Sequence, residues 1–470
     1  MQFDSFLFIL FLGAVALVYW LLPTWSSKKV FLLGASYIFY AAWSPPLVIL
    51  IWISTLTDFF LARKIYALGN VHARKLLVAV SLVINLGMLG YFKYAGFLLD
   101  AFSEIVARFG IIYHAPDFNI ILPIGISFYT FQTISYTIDA YRRDIKPDHG
   151  LIDFSLYVTF FPQLVAGPIV RASQFLPQCD RQPVIRRHEL VWGIYLLIFG
   201  LFAKVVLSDF ILAPFADTVF QSPGMVTSLD AWVGIFAYSG EIFFDFSGYT
   251  LCALGTAMLF GFTLPDNFNS PYAAIGITDF WRRWHISLST WLRDYLYIPL
   301  GGNRKGRFRT LVNLMTTMLL GGLWHGASWN FALWGGLHGL FLMAEHGITR
   351  IRLFRLEHEF VRIPVMLLTF MLVSLAWVPF RSVTIQETGN YYQKILSFDP
   401  GTVFDPLELT LVIVTMVVTL IWHYHSRNRT LESVFSAFPT VVRTGILACM
   451  LLGLGIASTG DSRAFIYFQF

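Results

Sequence analysis

The sequence predicts an all-α polytopic integral membrane protein, and three observations carry that expectation. Only 13% of the 470 residues are charged, whereas soluble domains carry about 25%. Hydrophobic residues make up 56% of the chain, and the mean hydropathy is +0.64. Apolar runs recur throughout, from Phe6–Leu22 to Thr444–Ile456. A bilayer core of about 30 Å takes roughly 20 apolar residues of helix, so the runs amount to roughly 11–13 membrane segments, with re-entrant or interfacial helices besides.

The first run, Phe6–Leu22, reads as a spanning helix rather than a cleavable leader. MQFDSF has no basic residue, and no A-x-A-like site follows the run. Lys28 and Lys29 come after it, which places the 23–29 loop in the cytoplasm and the N-terminus outside. Val30–Trp43 is short, about 21 Å of helix before Ser44-Pro45-Pro46, so with Leu47–Ala62 it fits a tight hairpin or a thinned bilayer. Basic loops recur at Arg63–Lys75, Arg142–Lys146, Arg171–Arg187, Arg282–Arg309, Arg350–Arg362 and Arg427–Arg429, and are assigned to the cytoplasm. The segment 100–119, with Asp100, Glu104 and Asp117 against Arg108, belongs to the other side. The net charge of +5 is therefore distributed as the positive-inside rule requires, not gathered on one face for nucleic acid. Cys179, Cys252 and Cys449 are far apart and read as small apolar residues, with no metal-ligand spacing. No polar stretch is long enough for a separate soluble domain, so residues 1–470 read as one membrane domain.

Asp279–Leu300 differs from the spans. Trp281, Trp284, His285, Leu288, Trp291, Leu292 and Tyr295 recur at helical spacing, while Arg282, Arg283 and Arg293 fall mostly elsewhere. The pattern predicts an amphipathic helix in the cytoplasmic interface, with tryptophans at headgroup level and GGNRKGRFR following. Either it is a structural surface helix, or it receives an anionic cytoplasmic molecule.

Ionisable groups inside apolar segments are costly, so each is a site candidate. Leu311–Leu340 has no charged residue, yet holds His325 and His338. A neutral imidazole at His325 can accept a proton and return it, or can simply bond a neighbouring helix. Gly321, Gly322 and Gly326 leave room for another chain or a substrate. His338, on a different face if the helix is continuous, reads as a packing residue. His285 falls on the amphipathic segment and is a second candidate. Glu241 and Asp245 project from one helical face, so they need basic partners or a shared proton, as a structural pair or a relay. Gln132, Ser135 and Tyr136 of 122–139, with the broken segment 160–171, suggest a cavity wall.

DFWRRWHISLSTWLRDYLYIPLGGNR (279–304) followed by MLLGGLWHGASWNFALWGGLHG (318–339) resembles the signature of the membrane-bound O-acyltransferases. LGYFKYAGF (89–97), LPIGISFYTFQTISYTIDAYR (122–142), FPQLVAGPIVR (161–171), FFDFSGY (243–249) and FIYFQF (465–470) are similar to the branch that contains alginate O-acetylation subunits. Relatives serving cellulose acetylation, peptidoglycan O-acetylation and teichoic acid D-alanylation share these motifs. The resemblance implies many helices around a central funnel in a bacterial inner membrane, so that the outside N-terminus read from Lys28 and Lys29 would be periplasmic. It implies that His325 of the WHG motif is catalytic and that His285 lines the cytoplasmic side.

The expected activity is transfer of acetyl from a cytoplasmic thioester, acetyl-CoA in the first instance, across the membrane for O-acetylation of an exported polysaccharide such as alginate or cellulose. Arg282, Arg283, Asn303 and Arg304 would attract the donor's phosphates, and Trp324 and Trp329 would shape the cavity. Glu241, Asp245 and His338 would support it. The family implies no bound cofactor or metal, and a periplasmic SGNH-hydrolase-like partner with polysaccharide secretion machinery. The alternative is a transporter or flippase of a lipid-linked saccharide or acyl carrier, using His325 with Glu241 and Asp245 as a proton relay.

Overall fold

The computed structural model describes residues 1–113, 121–164, 167–348, 359–458 and 463–466, and among these every regular element is a helix. Residues 350–358 of the basic stretch Arg350–Arg362, Val165 and Ala166 of FPQLVAGPIVR, and the last four residues of FIYFQF lie outside the described residues.

Among the described residues, seven helices are long and apolar enough to cross a membrane: Pro45–Ala67, Val71–Ala107, Arg187–Gln221, Ser228–Leu259, Phe360–Arg381, Pro406–Ser426 and Thr440–Ala457. The chain is a multi-pass membrane protein. The larger number expected from apolar runs arises because several runs fold into short or partly polar helices. Phe6–Leu21, capped by the Ser5 hydroxyl, has 16 residues, and Ile126–Arg142 is rich in buried hydroxyl and amide side chains.

The chain packs as two compact units, residues 1–193 with 253–265, and residues 194–252 with 266–470. In the first, α1 (Val48–Ala67), α2 (Val71–Leu89) and α3 (Ile126–Arg142) surround the fully buried Asp58. An unsatisfied carboxylate there would be costly. Its oxygens accept from Thr137 at 2.7 Å, from Asn85 at 2.6 Å and from Ser81. Ser54 adds a bond to Asn85 at 2.6 Å. Gln132, Ser135 and Tyr136 of α3 pack into this unit's interior, with Ser135 bonded to the Gln132 carbonyl at 2.7 Å and Tyr136 against Phe154 at 4.4 Å.

The second unit contains residues 228–252 of α4 (Ser228–Leu259), followed by α5 (Ile277–Trp281), α6 (Ile286–Leu292), α7 (Gly306–His325), α8 (Trp329–Ile348), α9 (Glu359–Arg381) and α10 (Pro406–Ser426). In place of one amphipathic helix over 279–300 there are three pieces: α5, α6 and a wider-wound turn at Arg293–Tyr297. Trp284 and Trp291 are buried in this unit rather than exposed on the surface of an interfacial helix.

Helices α7 and α8 form a tight hairpin. A Cβ on Gly322 would lie 2.2 Å from the Phe331 carbonyl oxygen, and one on Gly335 2.3 Å from that of Met318. The glycines beside His325 therefore do not leave the vacant space that their small size suggests. Gly322 admits α8, and a Cβ on Gly326 would lie 2.0 Å from the Phe331 ring. In a membrane, where apolar surface gains little by leaving lipid, such close approach is a main source of helix association.

Gly322→Ala or Gly335→Ala should force the hairpin open and cost about 1–3 kcal/mol. Gly336→Ala, whose Cβ would make ordinary contact with Leu319 at 3.7 Å, should be tolerated. Thermal unfolding in detergent, followed by tryptophan fluorescence, distinguishes the two.

Candidate active site

His325 is the last residue of α7, and the extended Gly326 (φ −159°, ψ 152°) ends the helix there. Its side chain is 4% exposed and enclosed by aromatic rings. Ring centroids lie 4.9 Å away at Trp324, 5.0 Å at Trp334 and 5.3 Å at Phe380. The start of α8 is tied to the end of α9 by Asn330, which donates to the Ser382 carbonyl at 2.6 Å.

His285 comes to the same place from 40 residues upstream, its ring centroid 6.4 Å from that of His325 and 5.9 Å from that of Trp324. Phe246 of α4 closes the other side at 4.7 Å. His285 occupies the left-handed region at φ +42°, between α5 and α6. Histidine is among the non-glycine residues found there, but the conformation costs on the order of 1–3 kcal/mol and persists only where surroundings enforce it. Asn267 enforces it. Its carbonyl accepts from Ile286 N–H at 2.9 Å, and its side-chain oxygen from the Ser287 hydroxyl at 2.6 Å. Asn269 N–H bonds the Arg283 carbonyl at 3.0 Å, completing the corner.

Two further sets of contacts hold the corner against α8 and α10. Glu345 accepts from the amides of Ile277 at 2.6 Å and Thr278 at 3.0 Å, satisfying the start of α5. Asp279 pairs with Arg283 at 3.0 Å and Arg427 at 2.5 Å. Burial would raise the Asp279 carboxyl, but the Ile275 amide and the two guanidiniums outweigh it and hold the group below the usual carboxylate range.

The other expected residues fall into distinct places. Arg283 is engaged in the Asp279 network and donates to the Asn269 and Arg427 carbonyls. Arg282, Asn303 and Arg304 are exposed. Trp324 packs beside both histidines, but Trp329 opens α8 and is 58% exposed. His338 shares the aromatic cluster of His325: the helix is broken between them, so the different face expected of a continuous helix does not apply. Trp334 touches both rings, 5.0 Å from His325 and 4.9 Å from His338. Asp245 has the basic partner it needs in Lys204 at 2.5 Å. Glu241, buried on the same helix, has its carbonyl bonded by Ser208 at 3.2 Å.

Asn267, Phe246, Trp334, Phe380 and Lys204 did not stand out in the sequence. Lys204 could have been found, since it and Asp209 are the only charges in Leu196–Leu212. Asn267 sits in a polar stretch, PDNFNS, where nothing marks it as the residue holding a helix corner.

The arrangement offers two imidazoles side by side, in a pocket of aromatic rings that disfavours water, with exposed basic residues on the segments leading to it. It is suited to moving a proton between a hydroxyl and a leaving group. The sequence profile of the membrane-bound O-acyltransferase family matches residues 140–373. The chain is 41% identical over 404 residues to the probable alginate O-acetylase of Pseudomonas aeruginosa, an alignment spanning 85% of this chain and 75% of that protein. It is 36% identical over 416 residues to the peptidoglycan O-acetyltransferase of Helicobacter pylori, spanning 82% and 78% of the two. To the teichoic acid D-alanyltransferase of Bacillus subtilis it is 30% identical over 242 residues, spanning 49% and 60%.

Asn267→Ala should remove the acceptor of Ser287 and destabilise the corner by about 1–3 kcal/mol. Because both side chains act in one bond, adding Ser287→Ala should lower the unfolding midpoint less than the sum of the single changes.

Proposed function

The chain belongs to the membrane-bound O-acyltransferase family, and from that premise we propose that it passes acetyl from a cytoplasmic thioester across the bacterial inner membrane for O-acetylation of an exported polysaccharide. The observation that carries this reading is the pair of buried histidines, His285 and His325, 6.4 Å apart in their ring centroids. The named relatives act on alginate, peptidoglycan and teichoic acid, and the alginate enzymes support a polysaccharide of that kind.

The donor, acetyl-CoA, approaches from the cytoplasmic face, where the exposed Arg282, Asn303 and Arg304, with Lys305, Arg307 and Arg309, attract its phosphates. His325 removes the proton of an acceptor hydroxyl, whose oxygen attacks the thioester carbonyl. His285 hydrogen-bonds the carbonyl oxygen as it gains negative charge. The tetrahedral intermediate collapses with loss of the thiolate, which takes the proton back from His325, leaving an ester and a free thiol. Trp324, Trp334, Phe246 and Phe380 keep water from hydrolysing the donor. The acceptor is a hydroxyl of a periplasmic SGNH-hydrolase-like partner, which passes acetyl on to the polymer alongside the secretion machinery. The basic loops face the cytoplasm and the N-terminus the periplasm.

His325→Ala, inserted at normal levels, should lower acceptor-dependent thiol release from labelled acetyl-CoA by about 10²–10⁴-fold and remove acetyl from the polymer. His285→Gln should lower the rate without abolishing donor binding. Retained turnover in His325→Ala would overturn the catalytic assignment. Transport of an intact carrier with no thiol released by the purified protein would favour a flippase instead.

A further inference from the structure

Segment 463–466 is fastened at two points inside the second unit. At one end Arg463 pairs with Asp217 at 2.7 Å, and Asp217 also holds Arg381 at 2.7 Å. At the other end the Ile466 amide donates to Asp245 Oδ2 at 2.8 Å, while Asp245 Oδ1 pairs with Lys204 Nζ at 2.5 Å. Lys204 also reaches Asp209 at 2.9 Å. Between these points Phe465 is fully buried, 4.4 Å from the Tyr249 ring and 5.7 Å from the Phe246 ring. Phe246 is in turn the ring that packs on His285. The other fastening leads to the same pocket, since Arg381 directly follows Phe380, whose ring packs on His325.

A buried ion pair is an inefficient source of stability, because two charges must first be taken out of water. Its geometric definition is the more useful property here. The carboxylate of Asp245 faces Lys204 and the Ile466 amide together, which defines a place for segment 463–466, and Phe465 of that segment lies against Phe246. We infer that Lys204 and Asp245 are positioning residues of the acyl-transfer site, acting through Phe465 and Phe246 on the orientation of His285. The inference rests on the acyl-transfer role proposed for the histidine pair.

The test compares three changes: Lys204→Met with Asp245→Leu, which removes both charges without stranding one; Phe465→Ala; and their combination. Each is reconstituted as the full chain and assayed for thiol release from acetyl-CoA with acceptor. The charge-pair variant and Phe465→Ala should each lower kcat by roughly ten- to a hundredfold, as small misplacements of reacting groups do. Donor KM should stay within about twofold, because donor phosphates are attracted by exposed basic residues elsewhere. The combination should fall no further than the worse of its parts, and Lys204→Arg with Asp245 retained should keep most of the unmodified rate. Asn85→Ala, which breaks the polar cluster around Asp58, is the control for general loss of stability and should keep kcat per folded molecule. A folded charge-pair variant with normal kcat, or losses that multiply in the combination, would overturn the inference. Absence of thiol release in the unmodified chain would instead count against the proposed function. The two failures are therefore distinct.

Discussion

Direct backbone contact between α7 and α8, permitted by the missing side chains of Gly322 and Gly335, governs the position of His325 and much of what surrounds it. Lipid offers no hydrophobic gain for joining two apolar helices, so the hairpin depends on dispersion contacts made at short range. Once α8 lies against α7, Trp334 is brought beside His325 and also beside His338. Asn330, one turn earlier, reaches the Ser382 carbonyl just past the end of α9, and Phe380 on that helix completes the enclosure. A helix end, a hairpin and an aromatic pocket thus follow from two close approaches of main chain.

The corner that carries His285 is built on a different principle. No regular element extends through residues 282–285, and its left-handed histidine is held by hydrogen bonds that one loop residue, Asn267, accepts from Ile286 and Ser287, and by the acidic groups Asp279 and Glu345. In a low-dielectric interior such bonds are strong when complete and costly when broken, which suits them to fixing one backbone conformation. The same economy appears around Asp58, where hydroxyl and amide donors satisfy a buried carboxylate, and around Asp245, where a lysine does so. The cationic partner therefore sits in the unit that holds the two histidines, beside aromatic residues that lead to one of them.

Several features were legible before any coordinates because they depend on composition or on one residue in its immediate context. Low charge and recurring apolar runs determine a helical membrane protein, since only satisfied backbone is stable in lipid. His325 stood out as an imidazole in an uncharged run, and the RRWHIS and WHG motifs marked both histidines. Periodicity misleads where it has to stand for tertiary contact. Helical spacing across 279–300 describes a continuous amphipathic helix, but Asn267, a dozen residues upstream of that stretch, diverts the chain at His285. Arg283 looks like a phosphate-binding residue from its neighbours in sequence, yet it pairs with Asp279 and donates to the Arg427 carbonyl. Trp329 is a tryptophan in an apolar motif and nonetheless faces outward.

The amino-acid sequence by itself determined the solvent the chain folds in, the helical class, and that His325 is an imidazole in an uncharged apolar run. Those properties are local: transfer of a side chain between water and lipid does not depend on which distant residue it meets. Only the tertiary structure decided that His285 and His325 are neighbours, that the flanking glycines serve helix contact instead of open space, and that Lys204 faces Asp245. The two pairings join residues 40 or more positions apart and the glycine contacts join two successive helices, and helix-to-helix packing sets those distances through contacts that no single stretch of sequence contains.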